Sequence, residues 1–203
     1  STAGNRVYST AQPCRIEVLV IASKKSHALC RIRSMGRPMD RFIVVMGVSG
    51  CGKTTIAEGL AKALGGTYLE GDSFHTVEAK AKMGEGIPLT DDDRWPWFDR
   101  MVSAARTEVD HRRTPVLSCS ALKQAYRDYL LGDFVSPCLI YLEGSFELIK
   151  GRMDARNHEY MTSDLLKSQF DTLEEPKAGE RVLVLSIEER PEAIIKAALE
   201  WLK

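Results

Sequence analysis

The strongest constraint on the fold is a glycine-rich run that lies between an apolar stretch and a helical pattern. Residues 47–54 read GVSGCGKT and match G-x-x-x-x-G-K-[ST], the pattern of a phosphate-binding loop (P-loop). The apolar residues 42–46 precede this run, and Lys53–Leu64 follows it with apolar side chains on one helical face. A strand, a loop and a helix in this order are the context that the pattern requires, so the sequence predicts a phosphate site here.

Each residue type in the run has a use in binding a phosphate chain. Glycines let the backbone bring its N–H groups close to the phosphates, and the start of a helix adds a favourable dipole. Lys53 supplies a cation and is a candidate catalytic residue, and the Thr54 hydroxyl is a candidate magnesium ligand. The predicted nucleotide-binding residues are Gly47, Val48, Ser49, Gly50, Cys51, Gly52, Lys53, Thr54 and Thr55. The alternative is a fortuitous glycine-rich turn.

From Arg41 onward, short apolar runs alternate with stretches of helical period, which is typical of a parallel sheet with crossover helices. The predicted strands are residues 42–46, Thr67–Glu70, 115–119, 138–142 and 181–186. Pro96 and Pro191 are predicted to lie in the first turns of two helices. The predicted fold class is α/β, a P-loop NTPase three-layer sandwich in which helices flank a central parallel sheet, with a mobile lid.

Composition and charge limit the classes of partner. Lys plus Arg equals Asp plus Glu at 28 each, so the net charge favours neither a nucleic-acid nor a membrane partner. Residues 1–41 nevertheless hold eight basic and two acidic side chains. We predict a basic extension over residues 1–40, either targeting or disordered, and a P-loop kinase domain over residues 41–203. An extra strand at residues 16–22 is a further alternative.

A P-loop alone does not separate switches, motors and kinases. GTPase switches also need DxxG and NKxD elements, and neither occurs in the sequence. A kinase must place an acceptor hydroxyl in line with the terminal phosphate, usually with a carboxylate nearby to take the proton. Glu70 and Asp72 end a predicted strand two residues apart, so they face the same way at the sheet edge. Asp72 is the candidate base and Glu70 the candidate support for magnesium; the alternative is an acidic turn that caps the next helix.

Basic side chains that follow the strands are candidates for binding an anionic acceptor. The planar guanidinium of Arg94 suits a carboxylate, although Arg94 can instead pair with the three Asp residues before it. Lys123 and Arg127 are predicted to share one helix face, with Ser120 as the helix cap. The alternative for this pair is a solvated helix face.

A further basic segment contains Arg152 and Arg156. In a phosphoryl-transfer enzyme such a segment is a lid that brings arginines onto the nucleotide phosphates while it excludes water. The alternative is a basic surface loop.

Five segments in order resemble the gluconokinase family, within the broader shikimate kinase and nucleoside monophosphate kinase group. They are GVSGCGKT, EGDSFH, KMGEGIPLTDDDRWPW, CSALKQAYRD and SQFDTLEEP. The resemblance implies that ATP, with Mg²⁺, donates its terminal phosphate to the 6-hydroxyl of D-gluconate for the pentose phosphate route. By the same resemblance Asp72 falls on the base, and the acceptor-side positions are His75, Lys82, Arg94, Lys123 and Arg127.

The resemblance also implies a homodimer, and we expect a cytoplasmic enzyme, with organelle targeting by residues 1–40 as the alternative. Glu70 departs from the family pattern, in which Asp is more usual, and residues 157–161 depart from it in the lid. Cys51 lies at a predicted helix N-terminus near Lys53, an environment that can favour the thiolate. We therefore hypothesise that oxidation or alkylation of Cys51 blocks ATP binding; the alternative is that Cys51 is simply a tolerated small residue.

Competing functions remain at this stage. One is a related kinase of another small acid or polyol, such as shikimate. Another is a regulatory protein that binds ATP without turnover, which the intact Lys53, Thr54 and Asp72 argue against. A nucleic-acid kinase is a distant third, because the chain from residue 42 onward is net acidic.

Overall fold

The computed structural model describes residues 6–8, 41–85, 87–132, 134–155, 163–177 and 180–203. Its centre is a six-stranded sheet with the order β1-β6-β5-β2-β4-β3. The strands are β1 (Arg6–Tyr8), β2 (Arg41–Met46), β3 (Thr67–Glu70), β4 (Pro115–Ser118), β5 (Ser136–Glu143) and β6 (Val182–Ser186). Strands β2 to β6 pair in parallel, and β1 pairs antiparallel with β6.

The helices cover both faces of this sheet. They are α1 (Lys53–Leu64), α2 (Val77–Gly84), α3 (Asp91–Asp110), α4 (Gln124–Leu131), α5 (Phe146–Asp154), α6 (Ser163–Thr172) and α7 (Pro191–Trp201), with a 3₁₀ turn at Gly71–Phe74. Alternate residues of β2 enter two separate cores. Ile43 and Val45 pack in the core that α1, α5, α6 and α7 share, whereas Phe42, Val44 and Met46 pack with α3 and α4. All five side chains are fully buried, which is the pattern of a central parallel strand.

The sheet order places the strand that leads into the P-loop between two parallel neighbours. Strand β2 pairs with β4 on one side and with β5 on the other. The connection after β2 runs to β3, beyond β4, and the chain later returns to add β5 on the opposite side. In open α/β sheets, ligands bind outside the carboxyl ends of the strands at such a reversal of strand order. The α/β sandwich predicted from the sequence is therefore confirmed, with residues 47–54 at its functional edge.

The predicted strands from residue 42 onward match the observed ones to within two residues, and the predicted helix Lys53–Leu64 matches fully. The predicted start near Pro96 is wrong, because α3 begins at Asp91. Thr90 and Asp93 form a capping box there, and acidic residues fill the first turn, so the earlier start is stabilised. These contacts outweigh the one backbone hydrogen bond that Pro96 removes inside the helix.

The predicted cap of α4 is also wrong. Lys123, not Ser120, is the N-cap residue of α4, and its side chain makes no capping hydrogen bond. Ala121 has a φ of 44°, a left-handed conformation that interrupts any helix between Ser120 and Lys123. The Ser120 carbonyl instead accepts a hydrogen bond from the N–H of Gly47 at 3.4 Å, so this segment lies against the P-loop.

Strand β1 comes from the extension that precedes Arg41, and the sequence analysis did not predict it. Arg6 pairs with Val184 and Tyr8 with Val182, so β1 forms the edge of the sheet beside β6. The alternative strand at residues 16–22 lies outside the described residues, and the boundary at residues 40–41 stays a prediction. Among the described helices, none is both long and apolar enough to cross a membrane.

Two threonines that cap helices differ in what their helices bury, and this difference predicts their contributions to stability. Thr90 accepts a hydrogen bond from Asp93 N–H at 3.2 Å, and α3 buries four side chains. Thr76 accepts one from Ala79 N–H at 3.1 Å, but α2 buries none. We expect Thr90→Ala to lower the free energy of unfolding by about 1 kcal/mol. Thr76→Ala should change it little, because α2 can open locally without unfolding the core.

Urea denaturation of the two variants measures this difference, provided that the slope of the unfolding free energy against urea concentration is the same in both. An equal loss in both variants would show that α2 unfolds together with the core.

Candidate active site

The loop at residues 47–54 has a backbone that favours glycine at three points, and at two of them a side chain would also clash. Gly47 has a φ of 145° and Gly50 a φ of 83°, both in the region that L side chains rarely adopt. A Cβ at Gly47 would lie 2.7 Å from the Cys51 sulfur, and one at Gly50 would lie 2.9 Å from Cγ of Met153. At both positions a side chain would therefore be strained and would also clash. At Gly50 the close neighbour, Met153, belongs to helix α5, so the loop packs tightly against that helix.

The loop leads into a helix whose first amides are available to an anion. Gly52 is the N-cap of α1 and offers no side-chain cap, and the first turn of α1 contains no acidic residue. A Cβ at Gly52 would meet no atom within 4 Å, so there is space in front of the helix. Uncapped N–H groups, a helix dipole and open space are what a phosphate chain requires. The residues present therefore fit the phosphates of a nucleotide.

Lys53 and Thr54 extend this site in two directions. The Lys53 ammonium donates to the carbonyl oxygen of Val48 at 3.0 Å, so the lysine folds back over the loop. The Thr54 hydroxyl donates to Oε2 of Glu70 at 3.1 Å. This contact joins the P-loop to the end of β3 and places two oxygen-bearing side chains together, which suits a magnesium ion. The magnesium roles predicted for Thr54 and Glu70 stay predictions.

Glu70 is held in its ionised form by three hydroxyl groups. Ser118 donates to Oε1 at 2.8 Å, and Tyr68 and Thr54 both donate to Oε2. Burial alone would raise the pKa of Glu70, but these hydrogen bonds outweigh burial and lower the pKa below its ordinary value. The extra methylene of Glu over Asp is thus accommodated by donors on two strands. Sequence analysis missed both partners. Ser118 reaches Glu70 only through the pairing of β3 with β4, whereas Tyr68 lies two residues before Glu70 on the same strand, a spacing that puts both side chains on one face.

Asp72 lies two residues beyond Glu70, in the 3₁₀ turn, and its side chain is exposed. No described residue donates a hydrogen bond to its carboxylate. The charges of Lys53, Asp72 and Glu70 all act on the buried thiol of Cys119, the residue that follows β4. Burial is the main reason that the pKa of Cys119 is raised to about 12, so this thiol stays neutral.

Helix α3 fixes the turn that carries Asp72. Trp97 donates from its indole to the Gly71 carbonyl at 2.8 Å, and Arg100 donates to the Phe74 carbonyl at 2.7 Å. His75 stacks on Trp97 with ring centroids 4.1 Å apart, and its Nδ1 is buried without a hydrogen-bond partner among the described residues. Burial lowers the pKa of His75, although the Asp72 charge opposes this. A neutral His75 beside Asp72 is therefore the favoured state near neutral pH.

Two of the predicted acceptor-side cations meet at one carboxylate. Asp91 accepts from Lys123 at 2.9 Å, from the Tyr126 hydroxyl at 2.5 Å and, more weakly, from Arg94 at 3.4 Å. The hydrogen bonds from Tyr126 and Lys123 lower the pKa of Asp91. The structure thus brings Arg94 and Lys123 together, and it also bears out the alternative in which Arg94 pairs with the Asp run.

Lys82 reaches the same helix start by another route. Its ammonium lies 2.9 Å from Oδ1 of Asp93. This hydrogen bond and the two from Thr90 lower the pKa of Asp93 to about 2. Lys82 therefore ties α2 to α3 across the stretch at residues 82–93.

The structure does not bring Arg127 to this group. Its side chain is only 1% exposed, and its guanidinium pairs with Glu180, with Nε 2.8 Å from Oε2. It also donates to the carbonyl oxygens of Glu174 at 2.8 Å and Leu122 at 3.3 Å. The predicted face shared by Lys123 and Arg127 is wrong, because Lys123 precedes the helix and Arg127 points into the protein. Its geometry is that of a structural ion pair, with its donors used internally, so the substrate contact predicted for Arg127 is not supported.

Arg152 lies in the last turn of α5 and donates to the carbonyl oxygen of Ile187 at 2.5 Å. Its charge acts on the Cys51 thiol and opposes the rise in the pKa of that thiol. Arg156 lies outside the described residues. Nucleotide contacts by these arginines stay predictions.

Cys51 does not have the environment that the sequence suggested. Burial raises the pKa of its thiol above the ordinary value, and the nearby Lys53 opposes this only in part. The side chain is 2% exposed and packs in the core with α1 and α5. The expectation that Cys51 favours the thiolate is therefore wrong, because desolvation outweighs the helix N-terminus.

One contact in the P-loop was missed entirely. Gln169 of α6 accepts from the Ser49 N–H at 2.7 Å and donates to the Ser49 hydroxyl oxygen at 2.9 Å. Gln169 belongs to the segment SQFDTLEEP that carried part of the family resemblance, but nothing local in the sequence indicates a partner 120 residues away.

Comparison with known proteins agrees with this geometry. A family model described as an AAA domain matches residues 42–176. The chain is 39% identical over 179 residues to a probable gluconokinase of Rattus norvegicus, a match that covers 79% of this chain and 97% of that protein. It is 42% identical over 156 residues to a gluconokinase of Gluconobacter oxydans, with 77% and 88% covered. This chain belongs to the gluconokinase family.

A solved structure supports the same assignment. A crystal structure of a gluconokinase from Sinorhizobium meliloti matches with a TM-score of 0.73 at 40% identity, and the match covers 82% of this chain and 93% of that one. The predicted family, the P-loop fold and the class of ATP-dependent kinase are confirmed. Gluconokinases of this family use ATP with Mg²⁺, and the P-loop described above fits both.

The buried position of Arg127 predicts a cost in stability. We expect Arg127→Met to lower the free energy of unfolding by about 3 kcal/mol, because it leaves the partly buried Glu180 and two carbonyl groups without their donor. The matched variant Lys123→Met breaks a partly exposed ion pair and should cost less than about 1 kcal/mol. Urea denaturation measures both. Equal, small losses of unfolding free energy in the two variants would show that the Arg127 side chain is solvated rather than buried.

The burial of Cys51 predicts slow chemical modification. We expect iodoacetamide at neutral pH to alkylate Cys51 in the native protein far more slowly than in the unfolded protein, because the thiol is both buried and protonated. Mass spectrometry of the peptide that carries Cys51, with and without urea, gives the two rates. Rapid alkylation of the native protein would restore the redox hypothesis.

Proposed function

We propose that this protein transfers the terminal phosphate of ATP to the 6-hydroxyl of D-gluconate, giving 6-phospho-D-gluconate and ADP. The observation that supports this most is the combination of a complete P-loop with an exposed carboxylate, Asp72, at the adjacent sheet edge. The relatives named above are gluconokinases over most of the length of the chain. The product would feed the pentose phosphate pathway.

On the donor side, the proposal gives each P-loop residue a task. The first amides of α1 bind phosphate oxygens, and Lys53 turns from the Val48 carbonyl to the terminal phosphates. Thr54 and Glu70 support Mg²⁺ together, since the Thr54 hydroxyl lies 3.1 Å from the Glu70 carboxylate. Thr54 is the proposed direct ligand, and Glu70 acts indirectly. The Mg²⁺ ion, when bound, neutralises the charge that develops on the phosphates.

On the acceptor side, Asp72 is the proposed general base. It takes the proton from the attacking hydroxyl, and an exposed carboxylate free of described hydrogen bonds is available for this. Trp97 and Arg100 hold the turn that carries it, so its position relative to Lys53 is set by α3. His75 is proposed to contact the acceptor through the exposed part of its ring, since it is partly exposed and stacks on Trp97 beside the turn that carries Asp72.

The gluconate carboxylate needs a cationic partner, and the structure supplies two in one place. Arg94 and Lys123 share Asp91 with Tyr126, and both are partly exposed. We propose that they bind the substrate carboxylate, with Lys82 nearby on α2. Arg127 is left out of this set, because its donors are used inside the protein.

The assembly and compartment belong to the same proposal. The family resemblance supports a homodimer, which light scattering of the purified protein would test. A cytoplasmic location is proposed, with targeting by residues 1–40 as the alternative, and expression of tagged chains with and without these residues would decide between them.

The proposed base predicts a separation of binding from turnover. We expect Asp72→Asn to reduce gluconate-dependent ADP release by at least about 100-fold, because proton transfer by a positioned base contributes about 10²- to 10⁴-fold. Binding of ATP should stay within about twofold, because Asp72 lies outside the P-loop. A coupled assay of ADP release gives the turnover rate, and titration calorimetry gives the affinity for ATP. Asp99→Asn, at an exposed position of α3, is the matched control.

Acceptor specificity is tested in the same assay. The unmodified protein is compared on D-gluconate, shikimate, related sugar acids and no acceptor. Turnover on another acceptor alone would show that the protein is a kinase whose substrate is not gluconate. ATP binding without any turnover would favour a protein that binds ATP without catalysis.

A further inference from the structure

The third residue of the P-loop, Ser49, is held by a side chain from a distant helix. Gln169 makes two hydrogen bonds to it, one with the Ser49 N–H at 2.7 Å and one with the hydroxyl oxygen at 2.9 Å. The Ser49 amide is therefore engaged by Gln169 in this structure. What the residue still offers is its hydroxyl hydrogen.

The chemistry of the two contacts fixes the direction of both hydrogen bonds. A backbone N–H can only donate, so the atom of Gln169 that faces it is the carbonyl oxygen Oε1. The other atom, Nε2, is then a donor, and the Ser49 oxygen accepts from it. A hydroxyl has one hydrogen and two lone pairs, so the Ser49 hydrogen remains unused by this pair. No described residue accepts it.

Gln169 is itself rigidly placed. Leu166, one turn before it in α6, is fully buried in the core beneath the sheet. Phe170 meets Phe146 of α5 edge-on, with ring centroids 5.6 Å apart. The contact with Ser49 is thus set by the packing of α6 rather than by an unrestrained surface side chain.

Ser49 also lies next to the point where the lysine of the loop ends. The Lys53 ammonium rests 3.0 Å from the carbonyl of Val48, the residue directly before Ser49. In P-loops this lysine reaches the β- and γ-phosphates. The unused hydroxyl hydrogen of Ser49 therefore lies beside the residue at which Lys53 rests before, on the proposed function, it turns to the phosphates.

We propose that the Ser49 hydroxyl donates a hydrogen bond to the terminal phosphate of ATP, and that Gln169 is a positioning residue that orients this hydroxyl. The inference rests on the ATP-binding half of the proposed function and does not depend on the acceptor. The hydrogen bond would exist with ATP and not with ADP, which lacks the terminal phosphate.

Binding of Mg²⁺ with ADP, or with a non-hydrolysable ATP analogue, tests this without an acceptor. We expect Ser49→Ala to weaken the analogue by about ten- to a hundredfold, the effect of one hydrogen bond to a charged oxygen, and to change ADP binding less than about twofold. Ser49→Thr keeps the hydroxyl and should restore most of the difference between the two ligands.

Gln169→Met removes both contacts at similar side-chain length and should reduce the preference for the analogue in the same direction. In the Ser49→Ala background the same substitution should cause no further loss of that preference, since there is no hydroxyl left to orient. Lys167→Met, on the exposed face of α6, is the matched control and should leave both affinities unchanged. Urea denaturation of every variant separates loss of binding from loss of stability.

The proposal is overturned if Ser49→Ala weakens both ligands equally, or if the two substitutions act additively on the preference. Gluconate-dependent ADP release by the unmodified protein reports on the proposed function separately. If Ser49→Ala weakens both ligands equally, and the unmodified protein turns over gluconate, the proposed Ser49 contact is refuted while the proposed function stands.

Discussion

The hydrogen bond between Thr54 and Glu70 joins the two halves of the site, and it depends on the order of strands in the sheet. Thr54 lies in the first turn of α1 after β2, and Glu70 ends β3, two strands away. Strand β4 lies between them and supplies Ser118 to the same carboxylate at 2.8 Å. Parallel pairing in register therefore sets the distance between the phosphate loop and the acidic turn. The proposed chemistry requires these two segments to be adjacent.

Polar side chains from the helices then brace each half. On the acceptor side, Trp97 and Arg100 of α3 bind the carbonyls of the turn that carries Asp72. On the donor side, Gln169 of α6 binds Ser49 at two atoms. Both braces use a side chain to satisfy backbone groups in loops, which removes conformational freedom where the reacting groups must be aligned.

Sequence patterns predicted the parts of the fold that depend on local chemistry. The motif at residues 47–54, the helix Lys53–Leu64 and the parallel strands follow from glycine placement and apolar periodicity, and the structure confirms them. The start of α3 was misplaced because Pro96 is a strong local signal, whereas the capping box at Thr90 is a combination of several weaker ones. Arg127 was misjudged for a different reason. Its spacing from Lys123 suggested a shared face, but its partner Glu180 lies 53 residues further on.

The sequence by itself determined the phosphate loop, the α/β class and the family, because these depend on residues that are adjacent or regularly spaced along the chain. Only the tertiary structure decided that Arg127 is a buried structural cation, that Cys51 is a neutral core thiol and that Gln169 holds Ser49. Burial and long-range contacts set the pKa of a group and the use of its donors, and neither can be read from neighbours in sequence. The same residue types therefore have different roles according to what the fold places against them.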